Sequence, residues 1–110
     1  MPVVHIRGSL SGATADVLAK VARDVAAAIP CSVGDVWCTY HQVTATVGTR
    51  SERVLYVDLL ARPREDGALV EGLEAAARAA SAAFHVSLED VWGHLTVLEE
   101  GSVFAGGGLL

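Results

Sequence analysis

One six-residue motif occurs twice in this chain and limits what the chain can fold into. Ser32-Val33-Gly34-Asp35-Val36-Trp37 corresponds to Ser87-Leu88-Glu89-Asp90-Val91-Trp92 at an offset of 55, in a sequence of 110 residues. The same offset carries Leu18 onto Leu73 and Ile29 onto Phe84. A repeat half as long as the chain means one supersecondary unit built twice.

Both halves show the same order of elements. Pro2 to Arg7 is a short β-rich run ended by Gly8, and a turn-rich loop follows to Gly12. From Ala13 to Ile29 the apolar residues Val17, Leu18, Val21, Ala22 and Val25 recur at helical spacing, with Thr14 or Ser11 available as a cap. Pro30 stops that helix, because a proline disfavours the α conformation in the residue before it. Val36 to Val47, rich in Val, Thr, Trp and Tyr, reads as a strand. After the polar break Gly48–Glu52 the pattern restarts with a buried strand over Arg53–Ala61, a loop Arg62–Gly67 and a helix Ala68–Phe84. A strand over Val91–Leu98 and a glycine-rich tail, expected to form a turn or short hairpin, complete it.

Each half is therefore a βαβ unit, whose right-handed crossover pairs its two strands in parallel. Two tandem units, about 2–48 and 53–104, predict a single α+β domain over 1–110: a four-stranded sheet with two helices on one face. No element remains to cover the other face, which predicts burial by copies of the same chain. Composition points the same way. Eighteen Ala and sixteen Val supply over half of the apolar content, and a small domain exposes a large share of its surface.

Other classes fall away on composition. With 52% apolar residues the chain can offset its ordering entropy, which excludes disorder. Eight scattered basic residues against 13 acidic ones, net −5, give no footprint for nucleic acid or an anionic membrane. No run approaches the roughly 18 apolar residues of a membrane span. The N-terminus shows no secretion signal, so a soluble cytoplasmic protein is expected. Cys31 and Cys38 are too few for a disulfide framework, and with His5, His41, His85 and His94 they show no metal-ligand spacing; no metal and no cofactor are expected. No nucleophile elbow, phosphate loop or dinucleotide fingerprint occurs.

A proline directly after the initiator methionine, opening the first strand of a duplicated βαβ chain, resembles the tautomerase superfamily. The second half is most similar to its malonate semialdehyde decarboxylase branch, from Arg50-Ser51 through Arg62-Pro63-Arg64 to Phe104 and the glycines after it. Pro2 also has a physical reason to be catalytic. Once Met1 is removed its nitrogen is a secondary amine, and a model α-amino group titrates at roughly 7.7–8.0. An apolar pocket or nearby cations favour the neutral form, which can take a proton from carbon as a general base.

The resemblance implies roles for further residues. Arg62 and Arg64, flanking Pro63, would hold the substrate carboxylate bidentately and stabilise an enolate. Asp35 falls where the decarboxylase has an active-site aspartate, and reads equally as a turn cap. Phe104, with Trp37 as neighbour, would form an apolar wall or simply pack in the core. Glu99 and Glu100 sit where hydrating relatives place a water-activating carboxylate, though a glutamate pair ending a strand also reads as a solvated one. Departures from the family pattern are equally definite. The loop Gly8–Gly12 has no arginine, Trp37 stands where short tautomerases carry one, and the first helix has no histidine.

The expected function is thus a cofactor-independent tautomerase acting on a small 2-oxo acid or its enol, with the proline as general acid/base. The alternatives are decarboxylation or hydration of a small 3-oxo or unsaturated acid, and a non-catalytic oligomeric binding protein. By resemblance the partners are a small carboxylate and two further copies in a homotrimer.

Overall fold

The computed structural model describes residues 2–44, 53–64 and 67–109. Residues 45–47 of the expected second strand, the break Gly48–Glu52, and Met1, Glu65, Asp66 and Leu110 lie outside the described residues.

Strand β1 spans Val3–Gly8, helix α1 Ala15–Ala28, β2 Trp37–Gln42, β3 Leu55–Ala61, α2 Ala68–Phe84 and β4 Val91–Val97. A short hairpin, β5 (Phe104–Ala105) and β6 (Gly108–Leu109), ends the described chain. Helix α1 starts two residues later than the apolar pattern suggests, because Thr14 is extended and acts as its N-cap. The Thr14 hydroxyl accepts the Val17 N–H at 3.4 Å, satisfying one of the donors that a helix start leaves free. The repeated motif takes the same path in both halves: Val33–Asp35 and Leu88–Asp90 each form a 3-10 turn that feeds the following strand, capped by its serine side chain in the second half only.

The two units pair β1 with β2 and β3 with β4 in parallel, and join through an antiparallel β1–β3 pair. The resulting order is β2-β1-β3-β4. Strand β3 is shorter at its start than expected. Arg53 instead donates from Nη2 to the carbonyls of Phe84 at 3.2 Å and His85 at 3.0 Å, capping the end of α2. In the hairpin, Ala105 pairs with Gly108, and both turn residues, Gly106 and Gly107, have positive φ, as a type I′ turn requires.

Alternate residues of the central strands bury on one side only: Val4 and Ile6 of β1, and Leu55, Val57, Leu59 and Ala61 of β3. They pack against Val21, Val25 and Ile29 of the first unit and Ala76 and Ala80 of α2, so both helices cover the same face. Gly72 marks the tightest point of that layer. A Cβ there would lie 2.5 Å from Ile29 Cγ1 and closer still to Ile29 Cδ1. Glycine within a helix normally costs about 0.5–1 kcal/mol relative to alanine. Here alanine is nevertheless expected to lower stability, by about 1–3 kcal/mol of overpacking less that propensity gain. Urea denaturation of Gly72→Ala against wild type checks this, and Ile29→Val in the same chain is expected to restore part of the loss.

The opposite face carries three rows across the strands. In order from β2 to β4 they are Trp37–Val3–Leu60–Thr96, Thr39–His5–Asp58–His94 and His41–Arg7–Tyr56–Trp92. The middle of this face is polar, with the Arg7 guanidinium on the Asp58 carboxylate at 2.7 Å. Trp37 and Trp92 stand at opposite corners of it, both more than half exposed. No helix among the described residues is long and apolar enough to cross a membrane.

Candidate functional site

Strand direction gathers the candidate residues at one end of the sheet. Strand β1 begins there, β2 begins beside it, and β3 and β4 end there. The β1–β3 register pairs Val3 with Leu60, and one step further sets Pro2 beside Ala61, immediately before Arg62. The Pro2 side chain is fully buried on the helix-facing side, and its carbonyl accepts the Trp37 N–H at 3.0 Å.

Past β3 the chain turns outward and forms a cavity of about 360 Å³ lined by Arg62, Pro63, Arg64 and Glu100. Arg62 is half-buried, and its Nε is shut away from solvent with no hydrogen-bond partner among the described residues. A buried donor left unpaired costs about 1–3 kcal/mol, more for a charged group. A planar fork carrying such a donor is suited to a carboxylate, which accepts two parallel N–H bonds. Arg64 is exposed on the same cavity.

Glu100 reaches the cavity through two backbone constraints. The Leu98 N–H donates to the Ala61 carbonyl at 2.8 Å, so the chain leaving β4 runs beside the Arg62 segment. A turn then follows: the Ser102 N–H donates to the Glu99 carbonyl at 3.1 Å, with Gly101 at φ 82. That positive φ at the third turn position is the one glycine supplies without strain. Glu100 occupies the second position and lines the cavity with the arginines; Glu99 spends its carbonyl on the turn.

The remaining sequence candidates stand apart from this cavity within one chain. Asp35 is exposed on the 3-10 turn before β2. Trp37 is 59% exposed on the uncovered sheet face, opposite to the side that Pro2 occupies. Phe104 is 71% exposed on the hairpin. Arg62 and Arg64 are thus brought together and Pro2 is brought to their strand end, while Pro2, Asp35, Trp37 and Phe104 are not among the residues that line the cavity. Sequence reasoning did not place Glu100 beside the arginines, for which the usable signal was the glycine immediately after it.

Another hollow, of about 360 Å³ at the far end of the sheet, is lined by Val54, Leu55, Tyr56, Glu89, Asp90, Val91 and Trp92. It stands where the second unit repeats the Asp35–Trp37 region, but Leu55 fills the place that Pro2 takes in the first unit. Among the described residues no three His, Cys, Asp or Glu side chains gather as metal ligands would.

No family model and no curated protein matches the chain. Solved structures do match over nearly its whole length. A macrophage migration inhibitory factor of Toxoplasma gondii is 14% identical, with 98% of this chain and 99% of that chain covered, at a TM-score of 0.81. A fused 4-OT, described as a symmetric trimer, is 20% identical over 98% and 93% of the two chains, at 0.77. A malonate semialdehyde decarboxylase, described as having decarboxylase and hydratase activities, is 17% identical over 94% and 90%, at 0.67. This chain therefore shares the fold of these macrophage migration inhibitory factor, 4-OT and malonate semialdehyde decarboxylase structures.

Proposed function

We propose that the chain is a cofactor-independent tautomerase that interconverts a small 2-oxo acid and its enol, with the imino nitrogen of Pro2 moving the proton. The observation that carries this reading is the unpartnered, buried Arg62 Nε, in a cavity shared with Arg64, one residue beyond the position flanking Pro2. The two guanidinium groups hold the carboxylate and draw charge onto the neighbouring oxygen, which stabilises the enolate. Neutral Pro2 accepts the enol O–H proton and, as the resulting prolinium, delivers it to carbon as the carbonyl re-forms; in reverse it takes the proton from carbon and returns it to oxygen. The mechanism requires that Met1 be removed, since an amide nitrogen is neither base nor acid here.

Decarboxylation of a 3-oxo acid needs the same enolate support and is a second reaction of this site, in line with the malonate semialdehyde decarboxylase likeness. A homotrimer fits the uncovered sheet face with its two exposed tryptophans and the trimeric 4-OT neighbour. In that assembly an adjacent copy brings Trp37 and Phe104 over the cavity as an apolar wall, and Asp35 orients the Pro2 amine or a water.

The test uses 3-bromopropiolate, a small electrophile that carries a carboxylate. Intact-mass spectrometry is expected to show one adduct per chain, placed on Pro2 by peptide mapping, with turnover of phenylenolpyruvate lost in step with labelling. Turnover that survives complete labelling, or a chain that keeps Met1 and still turns over, overturns the proline mechanism.

A further inference from the structure

The cavity holds two guanidinium groups and one carboxylate, a net charge of +1 from its described lining residues. We infer that Glu100 makes the site selective for monocarboxylates: the two guanidinium groups take one substrate carboxylate, and a second carboxylate on the ligand meets Glu100. The inference rests on the proposed reading that the cavity takes an oxo acid, and it narrows that reading to oxo acids with an uncharged far end.

The placement of Glu100 is built rather than incidental. The Leu98–Ala61 backbone bond and the Glu99–Ser102 turn fix the chain on either side of it, with Gly101 in the conformation that the turn needs. Ser102 adds a second bond, donating from its hydroxyl to the same Glu99 carbonyl. The Glu100 side chain lines the cavity and makes no hydrogen bond or ion pair to a described residue, so its carboxylate is left for the cavity's contents. A carboxylate in that place costs affinity for any ligand with negative charge at its far end, and costs nothing for a methyl group there. Because Arg64 and Glu100 are both exposed, water and salt screen the repulsion. The expected discrimination is therefore modest, roughly three- to tenfold in dissociation constant.

A matched pair of ligands isolates this effect. 2-Oxopentanoate and 2-oxoglutarate share a five-carbon 2-oxo acid skeleton and differ in a terminal methyl against a terminal carboxylate. Dissociation constants for both are measured by calorimetry at low and at physiological ionic strength. The proteins are wild type, Glu100→Gln, and Asp24→Asn on the exposed side of α1 as an equal change in net charge away from the cavity. Wild type and Asp24→Asn are expected to favour 2-oxopentanoate by roughly three- to tenfold, and more at low salt. Glu100→Gln is expected to remove that preference by tightening 2-oxoglutarate alone. Equal wild-type affinities, or a Glu100→Gln change common to both ligands or shared by Asp24→Asn, overturn the inference while the carboxylate site stands. Absence of binding by either ligand overturns the oxo-acid reading itself.

Discussion

Pro2→Ala is expected to lower kcat/KM for ketonisation of phenylenolpyruvate by about 10²- to 10⁴-fold, the range that a positioned proton-transfer group contributes. Alanine leaves a primary amine at the same place, so charge and approximate position survive. What is lost is the ring that fixes the direction of the lone pair and the buried packing that holds the nitrogen still. The fall should appear in kcat, because the arginines proposed to bind the carboxylate are untouched, with KM changing little.

A stability explanation can be separated by magnitude. Pro2 is fully buried, and removing about two methylenes from it costs on the order of 1.5 kcal/mol. Native domains typically have about 5–15 kcal/mol in hand, so the variant remains folded at 25 °C and its loss of rate is chemical. Circular dichroism and a thermal melt establish that directly. Equal turnover by wild type and Pro2→Ala would remove the proline from the mechanism and leave the non-catalytic binding protein as the better reading of this fold.

How much of this was legible beforehand depends on the range of the interaction. The repeated Ser-x-x-Asp-Val-Trp motif revealed the duplication because each copy is a local structure, a 3-10 turn entering a strand. Helix α1 was found from its period, and its true start follows from Thr14 capping rather than from any apolar residue. Arg62 and Arg64 were recognisable because one strand end holds both. Their relation to Glu100 was not, since it depends on the β3–β4 register and on the Glu99–Ser102 turn. Trp37 illustrates the opposite failure. It lies two residues after Asp35 and bonds through its backbone to Pro2, yet strand alternation turns its ring to the other face of the sheet. Sequence proximity indicated a neighbour, and the pleat decided which side that neighbour faces. The uncovered face was anticipated as something for copies to bury, but its central Arg7–Asp58 pair and its histidines make it polar between the tryptophans.

Arg62→Ala is expected to separate function from stability in a way that no ordinary core substitution does. Removing an electrostatic donor aimed at developing negative charge typically costs about 10²- to 10³-fold in rate, and here carboxylate binding should weaken as well. The folded state, by contrast, sheds a buried N–H that has no partner among the described residues, a relief of about 1–3 kcal/mol. Loss of packing along the arginine stem acts against that relief. The thermal midpoint of the ligand-free variant should therefore stay within a few degrees of wild type, or rise. Arg62→Lys keeps the charge but not the planar fork, and should recover only a small part of the activity. Added 2-oxopentanoate should raise the melting temperature of wild type and leave Arg62→Ala unmoved, because only a ligand that binds the native state shifts the transition. A variant that melts far below wild type would assign Arg62 to the scaffold. One that keeps full turnover and a full ligand-induced shift would mean that the carboxylate is held elsewhere.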